Sequence, residues 1–168
     1  ERVVPEEQEP IIGSCFILAA SAVLLALADH PQGGEEIQHI LSGQILFISW
    51  SEILAFLPLY AAALAIWFSV PPARSGLGFF VLFALVVTAS VQLVGVYVVF
   101  ASLILPALAV NTMNSRKTAA AMISGALAVL IGITVAALLD LPAGPVMVFS
   151  FATIALFCRL GYRIQPKS

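Results

Sequence analysis

Two stretches of this sequence carry side chains equipped for chemistry. In the first, Asp29, His30, Glu35, Glu36 and His39 lie close together. Imidazole nitrogens and carboxylate oxygens suit zinc and manganese, so an entrance that attracts divalent cations is one reading. The other is a solvated loop, acidic because Lys and Arg are kept to the opposite side of a membrane. Both readings stay open on the residues alone. The second stretch begins at Pro106 and ends in the polar run Asn111-Thr112-Met113-Asn114-Ser115-Arg116-Lys117. A proline near the end of an apolar helix, then a short polar segment with two positive charges, can present a turn or short helix at a membrane face. A plain basic loop accounts for the same residues.

Other chemistries have no signature here. There is no Ser/His/Asp arrangement, phosphate-binding glycine loop, paired-cysteine motif or His-Glu-x-x-His, and no basic patch with interleaved aromatics that would bind nucleic acid. Cys15 and Cys158 lie in apolar runs and read as small packing residues. Glu52 and Asp140 fall at the ends of apolar segments. Ser90 and Gln92 could line a path or hydrogen-bond between helices.

The elements that must position these residues are set by composition. Of 168 residues, 61% are hydrophobic and 10% charged, with a mean hydropathy of +1.08. Soluble domains carry about 25% charged residues, so this chain cannot cover a water-facing surface and is expected to be an all-α, polytopic membrane helix bundle forming a single domain, 1–168. The apolar runs predict spans over Pro10–Ala28, Ile53–Val70, Thr118–Leu139 and Val146–Cys158. Pro10 suits a first helical turn. The piece Ile37–Ser51 reads as an amphipathic outer segment with Trp50 at headgroup level. Small residues Ala121, Gly125, Ala128, Gly132 and Ala136 recur on one helical face, the spacing that lets backbones approach. Leu77–Val110 is too long for one straight span and slightly short for two. Thr88, Ser90, Gln92 and Gly95 fall in its middle, which predicts a hairpin of two shortish helices, Leu77–Leu93 and Gly95–Val110, enclosed by other protein.

Charge decides the number of crossings. With six crossings and the amino end in the cytoplasm, Arg2, Arg74, Arg116, Lys117, Arg159, Arg163 and Lys167, which are all seven basic residues, fall on the inner side. The outer side receives Asp29, His30, Glu35, Glu36, His39, Glu52 and Asp140. Merging the hairpin into one crossing destroys this asymmetry, so the positive-inside rule selects six.

The residues Ser90-Val91-Gln92-Leu93-Val94-Gly95-Val96, followed by Leu103-Ile104-Leu105-Pro106-Ala107, resemble the permease subunits of ATP-binding-cassette importers for zinc, manganese and iron. Glu9–Gly13, Leu41–Ser51 and Leu139–Pro145 resemble further pieces of that family in the same order. The resemblance implies a multi-pass permease of the bacterial inner membrane that pairs with a second copy. Cytoplasmic ATPase subunits use the ATP, and an extracytoplasmic protein delivers a divalent metal. It implies no catalytic site and no cofactor held by this chain, and it places the ATPase-coupling segment at Pro106 to Lys117, with Asn111, Asn114, Ser115 and Arg116 within it. Family members carry additional amino-terminal spans, so the chain is expected to be the carboxyl-terminal portion of a permease. A permease of the cobalamin or iron-siderophore importers and a non-transporting membrane scaffold are the alternatives.

Overall fold

The computed structural model describes residues 5–28, 49–69, 76–111 and 117–164. Six helices account for nearly all of them: α1 (Pro5–Ala28), α2 (Trp50–Ser69), α3 (Gly76–Val94), α4 (Val96–Val110), α5 (Lys117–Leu139) and α6 (Ala143–Ile164). All but α4 are long and apolar enough to cross a membrane. Helix α4, at about 1.5 Å per residue, is about 22 Å long against a hydrocarbon core of about 30 Å. The six helices match the six expected crossings one to one, and among the described residues there is no strand.

Helix α4 is the centre of the bundle. Its stripe Val98, Ala101, Leu105 and Ala109 recurs at three- and four-residue intervals and is buried against α1, α5 and α6. Helix α1 contributes Ile17 to the same core, and α6 contributes Met147, Val148, Phe151 and Ala155. The α5–α6 contact is the closest. The buried face of α5 is Ser124, Ala128, Gly132 and Ala136, with Ala121 and Gly125 half-buried beside it. A Cβ at Gly132 would lie 2.8 Å from Met147 Cγ and 2.9 Å from Met147 Cα, so only glycine lets the two helices meet there. Ser150 ties them further by donating to the Ala128 carbonyl at 2.8 Å. The predicted small-residue face is therefore the α5–α6 interface.

Helices α2 and α3 form an arm outside this core. Helix α2 has no fully buried residue and packs on α3, which packs on α4. Tyr60 of α2 and Ser90 of α3 are hydrogen-bonded at 2.9 Å. Ser90 donates to the Val86 carbonyl at 2.8 Å, which leaves Tyr60 as the donor of the interhelical bond. Trp67, Phe79 and Phe83 cluster at one end of the arm. Large apolar side chains such as Leu64, Phe68, Leu77 and Phe80 are exposed along it, a surface that needs lipid or protein against it.

Several boundaries differ from the sequence expectation. Helix α1 begins at Pro5, so Pro10 is an interior residue of the helix, and its carbonyl accepts a bond from Ser14 Oγ at 2.7 Å. Trp50 and Ser51 belong to the first turn of α2 and not to the preceding amphipathic piece, whose residues 37–48 lie outside the described part. The Glu52 side chain supplies half of a capping box: the Ser49 N–H donates to Glu52 Oε2 at 2.9 Å at the start of the helix. Helix α6 begins at Ala143 and continues past Cys158. Cys158 packs against the core, but Cys15 is exposed on the outer face of α1 and is no core residue; both thiols are free.

Candidate functional site

The break between α3 and α4 is a single residue. Gly95 has φ 86 and ψ 156, a region essentially reserved for glycine. Its N–H donates to the Val91 carbonyl at 2.9 Å, closing α3, and its carbonyl accepts from the Val99 N–H at 3.3 Å in the first turn of α4. The residue is buried. Backbone polar groups at a helix break inside a membrane must be satisfied and covered by protein, and at Gly95 both conditions hold.

The contacts fix the direction of every helix in the core. Along α5 and α6, Gly125 faces Phe151, Gly132 faces Met147, and Ala136 clusters with Ala143 and Val146, so the two are antiparallel. Pro106 of α4 faces Gly125, and Lys117 reaches back to Asn111, so α4 is antiparallel to α5. Leu25, near the end of α1, packs on the Ala136–Ala143–Val146 cluster, while Ile17 belongs to the cluster that holds Met147, Phe151 and Ala155. Helix α1 is thus antiparallel to α6. It ends at the face of the bundle where α4 begins and where the α5–α6 turn lies. Helices α2 and α3, each long and apolar enough to cross a membrane, come between α1 and α4 in the chain, and α4 returns to the face from which α1 set out.

At that face lies the segment singled out after Pro106. Pro106 is buried in the core and Asn111 ends α4 as an exposed residue. Lys117 Nζ donates to the Asn111 carbonyl at 3.1 Å, satisfying a carbonyl at the end of α4 and drawing both ends of residues 112–116 together. Asn114, Ser115 and Arg116 lie outside the described residues. The geometry at hand is therefore a connection whose flanking residues, Asn111 and Lys117, are tied to each other at the end of the largely buried α4. Any force on it bears on α4. Sequence reasoning missed the Lys117–Asn111 clamp; the sign of the charge, opposite that of a helix C-terminus, was the available clue.

The acidic and histidine stretch, Asp29, His30, Glu35, Glu36 and His39, lies outside the described residues. Among the described residues no group of three His, Cys, Asp or Glu side chains could hold a metal ion, and the fully buried polar side chains are Ser14, Ser21 and Ser124. Glu52 is accounted for by its cap. Ser90 makes the interhelical bond to Tyr60, while Gln92 is exposed and lines an open groove between α2 and α3 with Phe56, Leu59 and Thr88. Asp140 has φ 53 and follows α5, and the Leu141 N–H donates to the Ala136 carbonyl at 3.1 Å. This is a Schellman-type helix end with Asp where glycine is usual.

No curated protein and no solved structure matched the chain. A family model, that of the ABC 3 transport family, matches residues 59–161, from the middle of α2 through α6. The matched range contains the Gly95 break, the Pro106 segment and the Asp140 turn, while Glu9–Gly13 and Leu41–Ser51 precede it. With most of its length covered, including the whole hairpin and the pinned connection, the chain belongs to the ABC 3 transport family and is a multi-pass membrane permease of the ATP-binding-cassette type.

Proposed function

We propose that the chain is the permease subunit of an importer that moves divalent metal ions, zinc or manganese, into the cytoplasm. Separate ATPase subunits hydrolyse the ATP, and this chain carries no catalytic site or cofactor of its own. Two permease copies surround the path and an extracytoplasmic protein delivers the ion. The face bearing Lys117 and Arg159 is cytoplasmic, because basic residues are held on that side. The observation that carries the reading is the bond from Lys117 to the Asn111 carbonyl at the end of α4, a helix continuous with the core through Pro106. An ATPase closing on that connection would displace α4 against α1, α5 and α6, which is how a local push becomes a shift between outward- and inward-open populations. Support for a metal cargo comes from the Ser49-Trp50 stretch and the histidines on the outer side.

The test is uptake in cells that lack their own high-affinity importers, with the full permease gene restored beside its ATPase and binding protein. ATP-dependent accumulation of zinc or manganese is expected. Replacing Asn114 to Lys117 by alanine should leave ATP hydrolysis intact and remove uptake. Uptake that survives this replacement would move the coupling site elsewhere, and uptake of a siderophore or cobalamin in place of metal would overturn the cargo.

A further inference from the structure

Helix α3 carries two polar side chains one turn apart on an exposed face. Thr88 and Gln92 line an open groove of about 410 Å³ between α3 and α2, with Ala84, Ala89, Phe56 and Leu59 among its other walls. Thr88 stands about 18 Å and Gln92 about 24 Å along the helix, inside the thickness of a hydrocarbon core of about 30 Å. Neither side chain makes a hydrogen bond among the described residues. Two other exposed threonines, Thr134 and Thr153, behave differently. They donate to the Leu130 and Phe149 carbonyls of their own helices at 2.7 and 2.8 Å. A threonine bonded in this way can face lipid, because its hydroxyl is satisfied. Ser90, on a neighbouring face of α3, is satisfied by the Val86 carbonyl and by Tyr60. Thr88 and Gln92 are therefore set apart: polar, exposed at membrane depth and unpaired.

We propose that this face of α3 borders the water-filled path of the permease, with Thr88 and Gln92 offering neutral oxygens to a passing divalent cation and its hydration shell. Lipid cannot satisfy a bare hydroxyl and carboxamide, and polar side chains within spans face cavities or other protein. Water satisfies both groups without a matching side chain, whereas a packed helix would have to supply a partner for each. The groove has room for about a dozen waters, at about 30 Å³ each. Hydroxyl and carboxamide oxygens suit a hard, hydrated cation. No carboxylate, imidazole or thiol lines the groove to hold the ion, and conduction needs contacts weak enough to let it leave. Because α3 joins α4 through the single residue Gly95, movement of α4 is passed directly to this lining. The role in cation passage rests on the importer reading above, but water access is measured without any cargo, so the two can fail separately.

In the full permease, assembled with its partner subunits in membrane vesicles, Cys15 and Cys158 are replaced by alanine. Single cysteines T88C, Q92C, T134C and T153C are then exposed to an impermeant, water-soluble thiol reagent from each side, with and without ATP. T88C and Q92C should react about tenfold faster than T134C and T153C, because the thiolate is the reacting form and it needs water to ionise. T88V and Q92L should each lower zinc or manganese uptake about tenfold, the factor expected for one unmade hydrogen bond. T88S and Q92N should keep most of it, with ATPase association unchanged in all four. Reaction at T88C and Q92C no faster than at the two controls would overturn the proposal. Disulfide formation between Q92C of two copies, without reagent access, would overturn it in favour of subunit packing. Undiminished uptake in T88V and Q92L would likewise remove the face from the path. Reagent access in a permease that carries a different cargo would keep the water path and overturn the cation.

Discussion

Individual residues in this permease are constrained mainly by backbone geometry and close approach. Gly132 is the clearest case, because a Cβ there would overlap the Met147 backbone and not merely a flexible side-chain tip. Gly132→Ala should lower stability by about 1–3 kcal/mol, the usual cost of overpacking, and Gly132→Val by more. Thermal unfolding of the detergent-solubilised protein measures this; a variant that melts with the wild type would mean that α5 and α6 do not touch at that level. Gly125, whose Cβ would sit 3.7 Å from Pro106, should accept alanine without such loss and serves as the control. Both glycines stand in the small-residue pattern that the sequence displays. Which of them cannot change was not legible there, because that depends on where Met147 of the neighbouring helix falls. The bond between Tyr60 and Ser90 was hidden for the same reason, since the polarity of Ser90 gave no pointer to its partner.

At the scale of elements, the junction at Gly95 is the feature on which the others depend. A helix running unbroken through Leu77–Val110 would overshoot the membrane, and the glycine ends α3 and begins α4 within one residue. Its φ of 86 lies where a side chain is strained, so Gly95→Ala should cost about 1–2 kcal/mol, or relieve that strain by straightening the junction. Either result should release the α3–α4 pair from its packing and reduce the amount of protein inserted and resistant to protease in membranes. Wild-type protease resistance in Gly95→Ala would show that the junction tolerates another conformation. The division of this stretch into two helices was legible in the sequence from length and from the polar residues at its middle. The start of α2 was misplaced because the Ser49–Glu52 capping pattern went unread, and the start of α1 because Pro10 was taken as a helix opening. The carbonyl that Pro10 leaves without its helical donor is that of Glu6, in the first turn of α1, so the proline costs the helix a bond only at its start.

For the whole molecule, the arrangement is a core of α1, α4, α5 and α6 with α2 and α3 as an arm. The directions of the core helices put Lys117 and Arg159 at one face and Asp140 at the other, in agreement with the segregation of charge along the chain. Single cysteines at Arg74 and Ser115 in an otherwise cysteine-free permease should therefore react with an impermeant reagent only from the cytoplasmic side. Labelling of Ser115 from outside would contradict both the helix directions and the charge argument. The sequence by itself determined that the chain spans a membrane and where the six helices of the described residues fall. These follow from transfer free energies, which are local and add along the chain. Only the tertiary structure decided that α4 lies buried among α1, α5 and α6, that α2 and α3 stand apart, that Lys117 reaches back to Asn111 and that Arg159 meets an apolar groove. Each of these requires residues distant in sequence to be brought together. Inside a membrane, hydrophobicity cannot rank the faces of a helix, because lipid is as apolar as a packing partner, and the choice falls to shape and close approach.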